Sequence, residues 1–193
     1  ASVVAETVQK ILDVTITWKI EAAGKIDADI AVTKDDEFPD LPRFGVRMFL
    51  DKKLSAVRYF GMGPQESYCD KHQAASHGLY RADVGDLHED YIRPQENGSH
   101  YDCEYVELNN RRYGIVASAE KAFSFNASYY TQEELEEKTH NYELIESDSV
   151  VFCVDYALNG IGSNSCGPVV LEQYRFDDVL FRFQFTLIPY VKG

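Results

Sequence analysis

Two glutamates, four of the five histidines and one glycine-rich loop carry the chemical options of this chain. Glu66 and Glu96 each close a Pro-Gln-Glu triplet, Pro64-Gln65-Glu66 and Pro94-Gln95-Glu96. Two carboxyl groups held roughly 5 Å apart can serve as nucleophile and acid/base in retaining glycoside hydrolysis. Nothing in the sequence brings these two together, and the plainer expectation is that each accepts backbone N–H bonds and pins a turn. His72, His77 and His88 lie between the triplets and His100 just beyond, at spacings that fit no metal template. The loop Gly160-Ile161-Gly162-Ser163-Asn164-Ser165-Cys166-Gly167-Pro168 sits between two apolar runs and is too rich in glycine to be strand or helix. It can present hydroxyl and amide groups and one thiol to a ligand or to another domain.

The composition limits what such residues can serve. With 32 acidic and 19 basic residues among 193, the formal charge is −13. Nucleic acid and anionic membrane surfaces both need a concentrated basic face, so neither is an expected partner. No apolar run approaches the roughly 20 residues of a membrane span, and Ala1-Ser2-Val3-Val4-Ala5-Glu6 has neither a basic nor an apolar leader segment. A soluble chain without an export signal is expected, whose beginning can lie inside a longer polypeptide. Cys69, Cys103, Cys153 and Cys166 form no C-x-x-C pair and have no histidine at zinc-ligand spacing, so reduced thiols are expected. Cys153, within Val150-Val151-Phe152-Cys153-Val154, reads as a small buried hydrophobe, and only Cys166 has a loop context.

The elements that must position these groups are strands. Apolar residues recur with period two, and β-branched and aromatic types abound. Val14 to Ile20 and Ile26 to Val32 flank Gly24-Lys25 as a β-hairpin. A second hairpin is expected from Arg43–Leu50 to Ala56–Phe60, turning at Asp51-Lys52-Lys53. Further strands are expected at Tyr101–Leu108, Arg112–Ala117, Phe123–Tyr129, Val150–Ala157 and Val179–Ile188. One short helix follows Thr131-Gln132-Glu133-Glu134, which has the form of a capping box, and ends near Lys138-Thr139-His140. The whole reads as a single all-β domain over residues 1–193, an antiparallel sandwich with long loops.

Four of those loops, in order, carry a resemblance. They are Phe60-Gly61-Met62-Gly63-Pro64-Gln65-Glu66-Ser67-Tyr68, then Tyr91-Ile92-Arg93-Pro94-Gln95-Glu96-Asn97-Gly98, then Phe125-Asn126-Ala127-Ser128-Tyr129, then Gly160 to Pro168. Together, over residues 38 to 188, they resemble the C-terminal domain of large bacterial β-galactosidases of glycoside hydrolase family 2. The resemblance implies an antiparallel β-supersandwich, galactose mutarotase-like, of which this chain is the second part. It also implies a partner, the catalytic TIM barrel, which holds the acid/base and nucleophile glutamates and the magnesium and sodium ions. Glu66 and Glu96 then inherit no catalytic role, and this chain needs no cofactor of its own. In some relatives the loop matching Gly160 to Pro168 leans over the barrel pocket with a Trp on the sugar, and the matching residue here is Cys166. The resemblance thus makes Asn164, Ser165 and Cys166 the substrate-binding residues, toward a terminal β-galactoside such as lactose. A thiol offers far less apolar area than an indole, so weaker holding of the aglycone is expected. Two other readings stand beside this one: an aldose epimerase using a His acid and a Glu base, and a carbohydrate-binding module stacking sugars on some of its 13 Tyr and 11 Phe. A sandwich cut from a larger one is also expected to expose sheet edges and form homodimers. Compartment stays open, since relatives of this kind are cytoplasmic in some bacteria and exported in others.

Overall fold

The structure, a computed structural model, describes residues 2–4, 10–161 and 169–192. Ten antiparallel strands form one connected hydrogen-bonded network: β1 (Ser2–Val4), β2 (Lys10–Ile20), β3 (Ile26–Lys34), β4 (Arg43–Asp51), β5 (Ala56–Gly63), β6 (Ser76–Asp83), β7 (Ser99–Asn109), β8 (Tyr113–Ser128), β9 (Ser149–Leu158) and β10 (Leu180–Val191). The order β1-β2-β3-β10-β8-β7-β5-β6 makes the main sheet, and β4-β9 branches from β8. The branch point explains the sandwich. β8 pairs with β10 through its first half, up to Ser118, and with β9 through its second half, from Ser124. Glu120, Lys121 and Ala122 between the halves are exposed, and the strand passes there from one layer to the other.

Aromatic contacts show that the two layers face each other. Phe44 of β4 meets Phe181 of β10 edge-on at 5.0 Å, Tyr156 of β9 stacks on Phe181 at 4.7 Å, and Tyr59 of β5 meets Phe125 of β8 at 5.0 Å. Alternation along each strand supplies this core. In β10, Phe181, Phe183, Phe185 and Leu187 are buried while Leu180, Arg182, Gln184 and Ile188 face out. Each fully buried large side chain of this kind contributes about 1.5–3 kcal/mol by leaving water.

The first hairpin forms as expected, with β2 and β3 paired from Leu12↔Lys34 to Ile20↔Ile26 around Gly24, whose φ is +90°. The second does not form. β4 pairs with β9, more than a hundred residues away, while β5 pairs with β6 and β7. A tight turn is present, since the Leu54 N–H donates to the Asp51 carbonyl at 2.9 Å and the Lys53 N–H to the Asp51 carboxylate at 3.0 Å. Leu54 is buried, however, and anchoring it in the core swings the chain from one layer to the other instead of doubling it back. The two strands expected at Arg112–Ala117 and Phe123–Tyr129 are halves of the single β8, and β6 is additional.

The α-helix α1 (Gln132–Glu137) starts where expected: Thr131 Oγ1 accepts the Glu134 N–H at 3.1 Å. The reciprocal half of the capping box is replaced, because the Glu134 carboxylate accepts the Ile145 N–H at 2.8 Å and ties the following segment to the helix.

Candidate functional site

Hydrogen bonds tie the described parts of the segments named by the resemblance to one another: the Gly98 N–H to Glu66, Asn126 Nδ2 to the Asn97 carbonyl, and the Ile161 N–H to Asp70. Glu66 leaves the β5 turn with its side chain only 5 % exposed. It accepts hydrogen bonds from Tyr68 Oη at 3.1 Å, from Lys71 Nζ at 2.5 Å, from the Gly98 N–H at 2.9 Å and from Tyr91 Oη. Gly98 and Tyr91 belong to the second Pro-Gln-Glu loop, so one carboxylate joins the two loops. Burial pushes the Glu66 carboxyl up, but the bonds from Lys71, Tyr91 and Gly98 outweigh it and hold the group below the usual carboxylate range. Lys71, opposed by burial and favoured by Glu66 and Tyr91, is pushed up to about 12.

Glu96 behaves otherwise than expected. It caps no backbone N–H; its carboxylate pairs with Arg43 at the start of β4. The Arg43 guanidinium simultaneously makes a two-pronged bond to Asp155 of β9, Nε to Oδ1 at 2.8 Å and Nη2 to Oδ2 at 2.6 Å. Nothing in the sequence points to this role, because Arg43, Glu96 and Asp155 are far apart in the chain and carry no shared spacing. The Asp155 side chain is 1 % exposed. Burial pushes its carboxyl up to about 6, Arg43 pulls against that, and the pair is ionised at neutral pH. Glu66 and Glu96 are thus both committed to loop-holding cations, and neither is a free acid or base.

Asp70, three residues beyond Ser67, reaches the stem of the glycine-rich loop. Its carboxylate accepts the Ile161 N–H at 3.1 Å. The Gly160 N–H donates to the Tyr174 carbonyl at 2.9 Å, and Asn159 Oδ1 accepts the Phe176 N–H at 3.0 Å. A Cβ on Gly160 would fall 2.7 Å from Asp70 Oδ2 and 2.9 Å from Val170 Cγ1, so glycine here allows those side chains their close approach. Asn164, Ser165 and Cys166, the expected sugar-contacting residues, lie outside the described residues.

The histidines serve packing. His100 is buried between Tyr59 and Phe125, with Nδ1 3.3 Å from the Met62 carbonyl and Nε2 without a partner; burial lowers its pKa to about 4. His72 bonds the Tyr68 carbonyl at 2.9 Å and stacks on Tyr101, His77 sits against Phe60, and His88 against Tyr130. Among the described residues none of these four forms an ion pair with a glutamate, and no three His, Cys, Asp or Glu side chains are grouped to hold a metal. Cys69, Cys103 and Cys153 are free thiols; Cys153 is buried, as its apolar run implied, and its pKa rises to about 11.

This is the architecture of an all-β domain whose buried carboxylates fasten its own loops. Comparison with known sequences gives that architecture a family: the model described as beta galactosidase small chain matches residues 1–187, and the chain belongs to that family. It is similar to the β-galactosidase of Actinobacillus pleuropneumoniae, 50 % identical over 179 residues that make up 93 % of this chain and 17 % of the relative. It is also similar to that of Staphylococcus xylosus, 37 % identical over 96 % of this chain and 19 % of the relative, and to that of Kluyveromyces lactis, 33 % identical over 86 % and 16 %. The chain therefore spans less than a fifth of the length of these relatives.

Proposed function

We propose that this chain is the second part of the C-terminal supersandwich of a retaining β-galactosidase, and that it supports hydrolysis of terminal β-galactosides without supplying the catalytic carboxylates. The family match along residues 1–187 carries this reading, and the commitment of Glu66, Glu96 and Asp155 to ion pairs and hydrogen bonds supports it. Its role is to hold Asn164, Ser165 and Cys166 over a sugar site made by a TIM-barrel partner. The magnesium and sodium of that reading would be held by the barrel.

A surface suited to the rest of such an enzyme lies on β2. Ile16, Trp18 and Ile20 continue the inward-facing row begun by buried Leu12 and Val14, yet are 44, 47 and 70 % exposed. From Thr15 to Ile20 no strand pairs on the side away from β3, among the described residues. An open edge beside an uncovered apolar row is what a further strand would complete. Without its partner, the chain is expected to dimerise through the same edge.

The test is complementation. A β-galactosidase polypeptide lacking the region homologous to this chain is mixed with the 193-residue chain, and hydrolysis of a chromogenic β-galactoside is followed. Restored turnover is the expected result, and binding without turnover would remove the support role. In the restored enzyme, Cys166→Trp should tighten inhibition by glucose; unchanged inhibition would take the loop away from the aglycone.

A further inference from the structure

We propose that the wedge between β9 and β10 is a binding site for a neutral saccharide. Its origin is topological. β10 pairs with β8 only from Thr186 onward, and β9 pairs with β8 only up to Asp155. On either side of the exposed β8 crossing at Glu120–Ala122 the two strands diverge, and the β8-facing edges of Phe181–Phe185 and Tyr156–Leu158 have no strand partner among the described residues. Backbone donors and acceptors therefore alternate along both walls. The space enclosed is about 490 Å³, within the range that holds small ligands.

The lining identifies the chemistry. Three half-buried tyrosines line the wedge, Tyr101 with one ring face stacked on His72, Tyr156 with one stacked on Phe181, and Tyr174; aromatic rings suit the C–H side of a pyranose. The charged side chains are three carboxylates, Asp102, Glu120 and Asp178, and three cations, Lys121, Arg175 and Arg182. Arg182 pairs with Asp29 and Arg175 with Asp40, and Asp178 accepts from Tyr156 Oη at 3.2 Å; the charge left to the wedge is negative, which disfavours phosphate or a free carboxylate as ligand, while carboxylates and Gln173 suit the paired hydroxyls of a sugar. Asp102 has φ 56°, in the left-handed region, within a register break of β7. Aspartate tolerates this region better than most non-glycine residues, and residues held there recur at ligand sites. The bulge turns Asp102 to the wedge rim, where the His77 ring bonds its carbonyl at 3.1 Å.

This inference does not rest on assembly with a barrel, so its test uses the 193-residue chain alone. Amide signals are followed by ¹⁵N–¹H NMR during titration with galactose and lactose, with glucuronate as an anionic comparison. Saturable shifts are expected at Asp102, at Glu120–Ala122 and at Gln173, with the neutral sugars binding more tightly than glucuronate. Asp102→Asn keeps a residue that tolerates the left-handed conformation, and Gln173→Ala alters an exposed turn, so both variants should fold. Each is expected to weaken binding about three- to tenfold by loss of a hydrogen bond, whereas Tyr142→Ala, an exposed aromatic elsewhere, should leave it unchanged. Absence of saturation up to about 50 mM, an affinity too weak for a built site, would overturn the proposal. So would shifts confined to other surfaces, equal binding of glucuronate, or wild-type affinity in both wedge variants. Failure of complementation with intact saccharide binding would remove the β-galactosidase assembly and leave this site standing.

Discussion

The fastened loops and the β2 edge of this domain are finished by opposite means. Where the loops are fastened, charged groups go inside: Glu66 and Asp155 are buried and satisfied by Lys71, Arg43, two tyrosines and a backbone N–H. At the β2 edge, apolar groups stay outside: Trp18 and Ile20 are 47 and 70 % exposed, with Trp18 meeting the margin of the core through an edge-on contact with Phe185 at 6.3 Å. Buried ion pairs cost desolvation and give fixed geometry, whereas uncovered apolar area is a store of association energy. The first region is built to hold a shape and the second to be covered, and substitutions should separate the two properties.

The largest effect is expected from Arg43→Ala, which strands the Asp155 carboxylate in the interior and frees Glu96. A loss of about 3–5 kcal/mol is expected from breaking one side of a buried pair, read as a lower urea midpoint; Arg43→Lys should recover only part, since an ammonium cannot reproduce the two-pronged geometry. A midpoint within experimental scatter of wild type would mean the fold is not held by this triad.

His100 gives the next effect. Its folded pKa of about 4 lies below the ordinary value of 6.5, so the unfolded chain takes up the proton first. The stability it permits is full above about pH 6.5 and is lost as pH falls toward 4, at up to about 1.4 kcal/mol per pH unit. Asp155, whose folded pKa is raised, works in the opposite direction over the same range, as protonation favours its folded state. The clean reading is the difference between wild type and His100→Leu, in which only the histidine contribution changes: wild type should lose more on acidification. Parallel curves would place a polar partner on Nε2.

At the β2 edge, Trp18→Ser should hardly move the urea midpoint yet weaken association with the complementing polypeptide by about 2 kcal/mol, the scale of an aromatic anchor. Sedimentation of the chain alone should show the same variant dissociating any homodimer. A large stability loss with unchanged association would reverse the assignment of this edge.

The smallest effect should follow Gly160→Ala. The new methyl meets the side-chain ends of Asp70 and Val170, which can shift aside, and is expected to cost about 1 kcal/mol. Its signature is local: faster amide exchange at Ile161, whose N–H donates to Asp70, with little change elsewhere.

What the sequence disclosed follows the range of the interactions. The β2–β3 hairpin was legible because turn and pairing are local, and the alternation in β10 displayed its own buried face. The pairing of β4 with β9 was hidden, since strand identity is local but partner choice is not, and adjacency in sequence wrongly favoured β5. β6 went unnoticed because Ser76-His77-Gly78-Leu79-Tyr80 mixes polar residues and glycine as an edge strand can. At the site, Glu66 was expected to bond backbone and does so through Gly98, whereas Glu96 proved to serve Arg43. The cation that decides the difference is distant in sequence. Asn164, Ser165 and Cys166 remain assigned by resemblance.

β8 carries one last implication, for how the domain comes apart. A strand hydrogen-bonded to β10 and β7 at one end and to β9 and β7 at the other cannot leave one layer intact while the other melts. Any opening that frees Gly114–Ala117 from the first layer pulls on Phe123–Ser128 in the second. Heat or denaturant should therefore meet a single cooperative unit, with the two halves of β8 exchanging their amide protons at the same rate through the same global event.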